Sequence, residues 1–163
     1  MNPRKGPLWA PILTGAGAAG AVGVLGMLAT DLSPWYYALQ KPSWQPPDWL
    51  FGPVWTLIYG LTAAAGIIAW RRARDRRGMG RIIGLFALNA LLNILWSALF
   101  FRFHRPDWSV VEVVFLWLSI LVLIAALAPI SRLSSWLLLP YLAWVTFAGL
   151  LNLAVVRLNF PFA

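Results

Sequence analysis

The sequence has no cysteine, which excludes disulfides, thiolate metal sites and cysteine nucleophiles. It is also poor in charge: only 11% of residues are charged, five are acidic, and His104 is the one histidine. No zinc spacing, phosphate-binding loop, Ser-His-Asp set or carboxylate pair can be assembled from these residues, so no metal site and no conventional catalytic constellation is expected. The acidic deficit leaves a formal charge of +8, which in a soluble chain would point to nucleic acid. Most of that charge sits in one segment, at Arg71, Arg72, Arg74, Arg76, Arg77 and Arg81. A basic connection between apolar runs is a topology signal, because such loops stay cytoplasmic, and it also suits anionic lipid headgroups. No nucleic-acid partner is expected.

What the chain does have is apolar length. It is 61% hydrophobic with a mean hydropathy of +0.74, outside the usual range of soluble domains. Uncharged runs extend over Gly6–Thr30, Trp49–Trp70, Ile82–Phe101, Val113–Ser131 and Leu133–Val156. Each is close to the roughly 20 residues that a helix needs to cross a bilayer. Period-two alternation is missing, and backbone polar groups in lipid must be satisfied within the segment, so the spans are helices. The expected fold is therefore an all-α integral membrane bundle of five transmembrane helices in a single domain over residues 1–163. The spans fall at about 8–30, 53–71, 81–101, 108–129 and 134–157, and a loop over 31–52 carries a short helix. Arg4 and Lys5 before an apolar stretch resemble a secretory signal, but the run is too long and four further spans follow.

Nine Lys and Arg residues fall on the side of the N-terminus and four on the other. This bias puts the N-terminus and the Arg71–Arg81 loop in the cytoplasm. The first span is rich in Gly and Ala, with small-xxx-small pairs at Ala16/Gly20 and Ala19/Gly23, which favours tight packing inside the bundle. Gly80 and Gly84 repeat the spacing. A homodimer is compatible with these features, which do not choose its face.

The first connection has Ser33 as N-cap and Pro34 as first helical residue, giving a short helix over Trp35–Gln40 that must end before Pro42. The second span is expected to start near Pro53, a tolerated first-turn position. Asn89 and Asn93 share a face of the third span, and Pro140 should bend the fifth near its first turns. Intramembrane polar groups normally face the bundle interior, so Tyr59, Asn93, Glu112 and Asn152 form a short list. For the asparagines, helix-helix hydrogen bonding and ligand contact are equally open. Glu112 is expected near the interface, paired with Arg102 or Arg105. His104, between two arginines, reads as a solvated or headgroup contact rather than a haem ligand.

The sequence contains 11 tryptophans. Trp9, Trp49, Trp70, Trp108 and Trp136 fall near span ends and suit an interfacial belt. Trp55, Trp96, Trp117 and Trp144 fall deeper, and each has an N–H that needs a partner. With Asn93 and Tyr59 they would form a flat apolar cavity with a few polar points, suited to a large aromatic ligand.

The stretches WYYALQKPSWQPPDWLFGPVWTLIYG, LNILWSALFF and LLPYLAWVTFAGLLN resemble the translocator protein / tryptophan-rich sensory protein family, also known as the peripheral benzodiazepine receptor family. The resemblance covers Trp9 to Asn159. It implies a five-helix bundle, usually dimeric, here in a bacterial cell envelope membrane. Implied ligands are tetrapyrroles such as protoporphyrin IX and haem, and isoquinoline- or benzodiazepine-type drugs; no cofactor is required. By position, the implied ligand contacts are Trp55, Asn93, Trp96, Trp144, Ala148 and Leu151. The pocket that the resemblance implies lies in the upper part of the bundle under the first loop, with the loop over 31–52 as its lid; Tyr59, and Trp35 and Trp44 on that loop, complete the candidate set. Leu153 stands where animal members have an aromatic residue in their cholesterol motif, so sterol binding there is not expected. The implied function is porphyrin sensing, sequestration, transport or light-dependent degradation. For degradation the catalytic candidates are Trp55 and Trp144. Alternatives are a lipid- or sterol-binding transporter, although inverted repeats are missing, and a partner-dependent membrane scaffold.

Overall fold

The structure is a computed structural model that describes residues 13, 15, 17, 20–24, 26, 28, 30, 32–73 and 75–162. The described residues between 13 and 28 are helical and make up α1. The rest of the first span, including Trp9, Ala16 and Ala19, lies outside the described residues. The following elements are α2 (Pro34–Ala38), α3 (Asp48–Arg72), α4 (Arg76–Ser97), a π-helical turn (Ala98–Arg102), α5 (Pro106–Leu127), α6 (Arg132–Trp136) and α7 (Leu139–Asn159). No strand occurs among the described residues. Among the described residues, four helical stretches, Asp48–Arg72, Arg77–Arg102, Pro106–Leu127 and Arg132–Asn159, are long and apolar enough to cross a membrane. Leu57, Leu91, Val111, Phe115, Val122 and Leu150 point outward and are exposed, a surface suited to lipid rather than water. The protein is a multi-pass integral membrane bundle.

Several boundaries differ from those expected. α3 begins at Asp48, five residues before Pro53. Pro47 occupies the N-cap with extended backbone, and the Asp48 carboxylate suits the positive end of the helix dipole. Pro53 removes the donor for the Trp49 carbonyl only, which lies in the first turn and is tolerable there. The fifth span is not one bent helix. It breaks at Leu137 and Leu138, and Pro140 is the second residue of α7. The N–H that Pro140 lacks would have bonded the Trp136 carbonyl, where α6 ends. Ser33 occupies the N-cap of α2, but its side chain makes no capping bond.

α5 lies at the centre, packed most extensively against α4 and α7. Its inward stripe of Val113, Leu116, Ile120, Leu123 and Leu127 is buried. α1 runs antiparallel to α3: Gly15 approaches Ile67, while Gly23 and Gly26 pack on Tyr59. A Cβ at Gly15 would come within 2.7 Å of the Ile67 side chain, so a larger residue there would displace the isoleucine tip from this close approach. Gly17, Gly20, Gly80 and Gly84 face open space.

One end of the bundle carries the 31–47 loop. Its Gln40 N–H donates to Asn159 Oδ1 at 2.8 Å, and Asn159 Nδ2 donates back to the Gln40 carbonyl at 2.8 Å. Trp35 stacks on His104 with ring centroids 4.2 Å apart, and Trp44 meets Phe147 of α7 edge-on. Below them the Tyr36 hydroxyl donates to Asp48 at 3.0 Å, and Lys41 sits 3.7 Å over the Tyr36 ring. Burial first, and the Asp48 bond second, hold the Tyr36 phenol above the usual tyrosine range. The opposite end carries the arginine connection, tied by Arg72 Nη1 to Ser131 Oγ at 2.9 Å.

Candidate functional site

A cavity of about 410 Å³ lies between α1, α3 and α4. Its long wall comes from α3 (Tyr59, Thr62, Ala63, Gly66, Ile67, Trp70) and α4 (Ile82, Ile83, Phe86, Ala87, Asn89, Ala90, Asn93), with Gly15 and Val22 of α1 and Tyr141 of α7. Helical periodicity explains the set: 59, 62, 63, 66, 67 and 70 share one face, as do 82, 83, 86, 89, 90 and 93. Glycine at 66 faces the Phe86 ring, so the wall is thin on one side and aromatic on the other.

A polar cluster closes the cavity at mid-bundle. The Tyr59 hydroxyl donates to Asn93 Oδ1 at 3.0 Å, and Asn93 Nδ2 donates to the Tyr141 hydroxyl at 3.2 Å. Asn93 is 2% exposed. Asn89, one turn away, donates to Ser119 of α5 at 2.8 Å. Trp55 stacks on Tyr59 at 5.3 Å and meets Tyr141 edge-on at 6.1 Å. The far end of the cavity reaches Trp70, Ile82 and Ile83, beside the arginine connection.

The nine candidate contacts divide accordingly. Tyr59 and Asn93 line the cavity, and Trp55 stands directly behind Tyr59. Trp96 and Trp144 pack with Trp55 against the core of Ile58, Val113, Leu116, Ile120, Tyr141 and Val145. Ala148 and Leu151 are buried on the inward face of α7. Trp35 and Trp44 belong to the loop contacts already described, away from the cavity. Trp70, expected in the interfacial belt, lies near the end of α3 and also lines the cavity, whereas Trp49, Trp108 and Trp136 are exposed near helix ends.

Asn152 belongs to the packing. It accepts from Trp96 Nε1 at 3.2 Å and Ser109 Oγ at 2.7 Å, and donates to the Pro106 carbonyl at 3.0 Å. Glu112 departs from expectation: Arg105 pairs with Asp107 at 2.6 Å, while Glu112 is 6% exposed and neither of its oxygens has a partner among the described residues. The Arg105–Asp107 link is made within two residues, a loop closure that the more distant Glu112 cannot match. No cluster of three His, Cys, Asp or Glu residues converges among the described residues.

Tyr141, Phe86 and Thr62 were not among the residues singled out by sequence. The available signal was the Asn89/Asn93 face, whose preceding turn holds Phe86. Tyr141, immediately after Pro140, carried no such mark.

The model of the TspO/MBR family matches residues 12–158. The chain belongs to the TspO/MBR family. Among relatives of this family, Tryptophan-rich protein TspO of Chlorobaculum tepidum is 40% identical, covering 91% of this chain and 97% of that protein. Protein CrtK of Rhodobacter capsulatus is 35% identical over 93% of this chain and 92% of its own length. The human Translocator protein is 33% identical over 77% of this chain and 75% of its length. The bundle and its tryptophan-rich core are thus set within a family that spans bacteria and animals.

Proposed function

We propose that the protein binds a tetrapyrrole such as protoporphyrin IX or haem within the bundle, with the macrocycle in the cavity between α1, α3 and α4. The observation that carries this reading is the form of that cavity: about 410 Å³, within the roughly 300–1,000 Å³ of small-molecule sites. It is lined by Phe86, Trp70 and Tyr59 and has polar groups concentrated at Asn93 and Tyr59. Flat aromatic walls stack on a planar ligand, and the few polar points orient it. Trp55, stacked on Tyr59, and Trp144 form the layer behind, so emission from these tryptophans should respond to a bound pigment. Isoquinoline- and benzodiazepine-type drugs would compete for the same space. A homodimer in a bacterial envelope membrane, with the arginine connection cytoplasmic, completes the reading.

The test is a titration of purified protein in detergent with protoporphyrin IX, followed by tryptophan quenching in the dark and under illumination. Saturable quenching that Ala90→Trp abolishes by filling the cavity supports the reading; non-saturable quenching sinks it. If illumination consumes bound pigment faster in the parent protein than in Trp55→Phe, the protein also turns pigment over. Equal rates confine it to binding.

A further inference from the structure

The described threonines use their hydroxyls in two ways. Thr30, Thr56 and Thr146 each donate to the carbonyl four residues back, those of Gly26, Gly52 and Leu142, at 2.8, 2.9 and 2.8 Å. This local bond satisfies a hydroxyl on an apolar helix without help from any neighbour. Thr62 does not make it: its Oγ1 is buried and has no partner among the described residues. Thr62 lies 14 residues after the first residue of α3 and ten before the last, so it sits near mid-membrane, and it lines the cavity between α1, α3 and α4. The polar groups one turn away and across the cavity are already engaged, Tyr59 with Asn93, Asn93 with Tyr141, and Asn89 with Ser119. An unpaired hydroxyl in a low-dielectric interior is costly, and the Ile58 carbonyl, four residues back, is the acceptor that would have relieved it. One turn further along α3, Gly66 faces the Phe86 ring, so a flat slot adjoins the free hydroxyl.

We propose that the Thr62 hydroxyl is the specificity contact of this cavity, donating to an uncharged carbonyl oxygen on the edge of a flat apolar ligand. The body of the ligand lies in the slot between Gly66 and Phe86, and its polar edge meets Thr62 at mid-bundle. That the acceptor is uncharged follows from the lining, which includes no Lys, Arg or His among the described residues. An ionised carboxylate beside Thr62 would be buried without a counter-charge. On a tetrapyrrole the matching groups are a protonated propionic acid, its ester or a ring ketone. Thr62 thereby discriminates among planar molecules that fill the cavity equally well. A ligand without the acceptor leaves the hydroxyl unpaired, and that penalty rather than shape carries the selectivity.

This role rests on the binding reading above, and one experiment separates the two. Purified protein in detergent is loaded with protoporphyrin IX, followed by polarisation of the pigment's red emission, and 9-fluorenone or fluorene is then titrated in as competitor. The two probes are flat, similar in size and differ by a carbonyl. The parent, Thr62→Val and Thr62→Ser are compared; valine keeps the branched shape and removes the hydroxyl. Thr62→Val should weaken fluorenone about three- to tenfold, the net worth of one buried hydrogen bond, and leave fluorene unchanged. Thr62→Ser should restore most of the fluorenone affinity. Saturable pigment binding with no such split between the probes, as expected of a hydroxyl that only ever holds water, overturns the specificity contact and leaves the binding reading intact. No saturable pigment binding by the parent overturns both. Unfolding in mixed micelles supplies a second measurement. Because no bond within the bundle is lost, Thr62→Val should be at least as stable as the parent; a loss of stability would show that the hydroxyl serves the fold and would also overturn the assignment.

Discussion

Asn152→Ala separates polar residues that hold the bundle from those that face the cavity. Asn152 is 1% exposed and joins α4, α5 and α7 through bonds from Trp96 Nε1 and Ser109 Oγ and to the Pro106 carbonyl. Interhelical hydrogen bonds in membranes average about 0.6 kcal/mol and reach about 1.7, so three of them amount to roughly 2 kcal/mol. The single Ser109 hydroxyl proton, within reach of both Asn152 Oδ1 and the Pro106 carbonyl at 2.8 Å, turns wholly to the carbonyl, which leaves the Trp96 indole N–H as the orphan. An unsatisfied buried donor costs about 1 kcal/mol more, giving an expected loss of about 2–3 kcal/mol. Unfolding in mixed micelles of rising dodecyl sulfate content, followed by circular dichroism, measures it. A Trp96→Phe/Asn152→Ala double-mutant cycle should give a coupling of about 0.6–1.7 kcal/mol. Porphyrin affinity at saturating stability should not change, because Asn152 does not line the cavity. A loss below about 0.5 kcal/mol, within the range of neutral surface changes, would refute the reasoning; so would a selective loss of affinity.

Three further outcomes follow from the same contacts. Asn159→Ala removes both bonds to Gln40, so hydrogen exchange in the segment around Gln40 should accelerate about tenfold, the equivalent of about 1.4 kcal/mol; unchanged protection would show that Trp35 and Trp44 alone hold the loop. Glu112→Leu removes a buried carboxyl without a described partner and should raise stability by about 1 kcal/mol or more in the same micelle assay; destabilisation would contradict the packing described for α5. The raised Tyr36 phenol contributes stability that is fully present below the ordinary tyrosine value of about 10 and is lost as pH rises through its folded-state value. The stability advantage of the parent over Tyr36→Phe should therefore hold to about pH 10 and shrink above it, as thermal unfolding across pH would measure.

The membrane bundle was legible because hydrocarbon thickness fixes span length, and the charges that bound the five apolar runs are unmistakable. Helix ends were less so. Pro53 looks like a start, yet the preceding Pro47 and Asp48 supply a better one. Pro140 announces a bend without revealing that α6 ends at Trp136. The π-helical turn at Ala98–Arg102 has no local signature. It re-aims Phe100 and Phe101 toward Trp96, Trp35 and Tyr36. It also leads into His104 at φ 54°, a left-handed conformation offset by the stack with Trp35.

Of the candidate site, Asn93 and Tyr59 could be found because a polar group is costly in lipid and must face inward. The tryptophans could not be divided into cavity, core and loop in this way. An indole tolerates all three settings, and only packing assigns Trp70 to the cavity, Trp96 to Asn152 and Trp35 to His104. The Gln40–Asn159 link joins residues 119 positions apart, beyond any local pattern.

The most direct test of the account is an experimental structure of the protein saturated with protoporphyrin IX in a lipid environment. The account predicts macrocycle density between α3 and α4, in contact with Tyr59 and Phe86. Density under the loop, between Trp44 and Phe147, with the α3–α4 cavity empty, would contradict it.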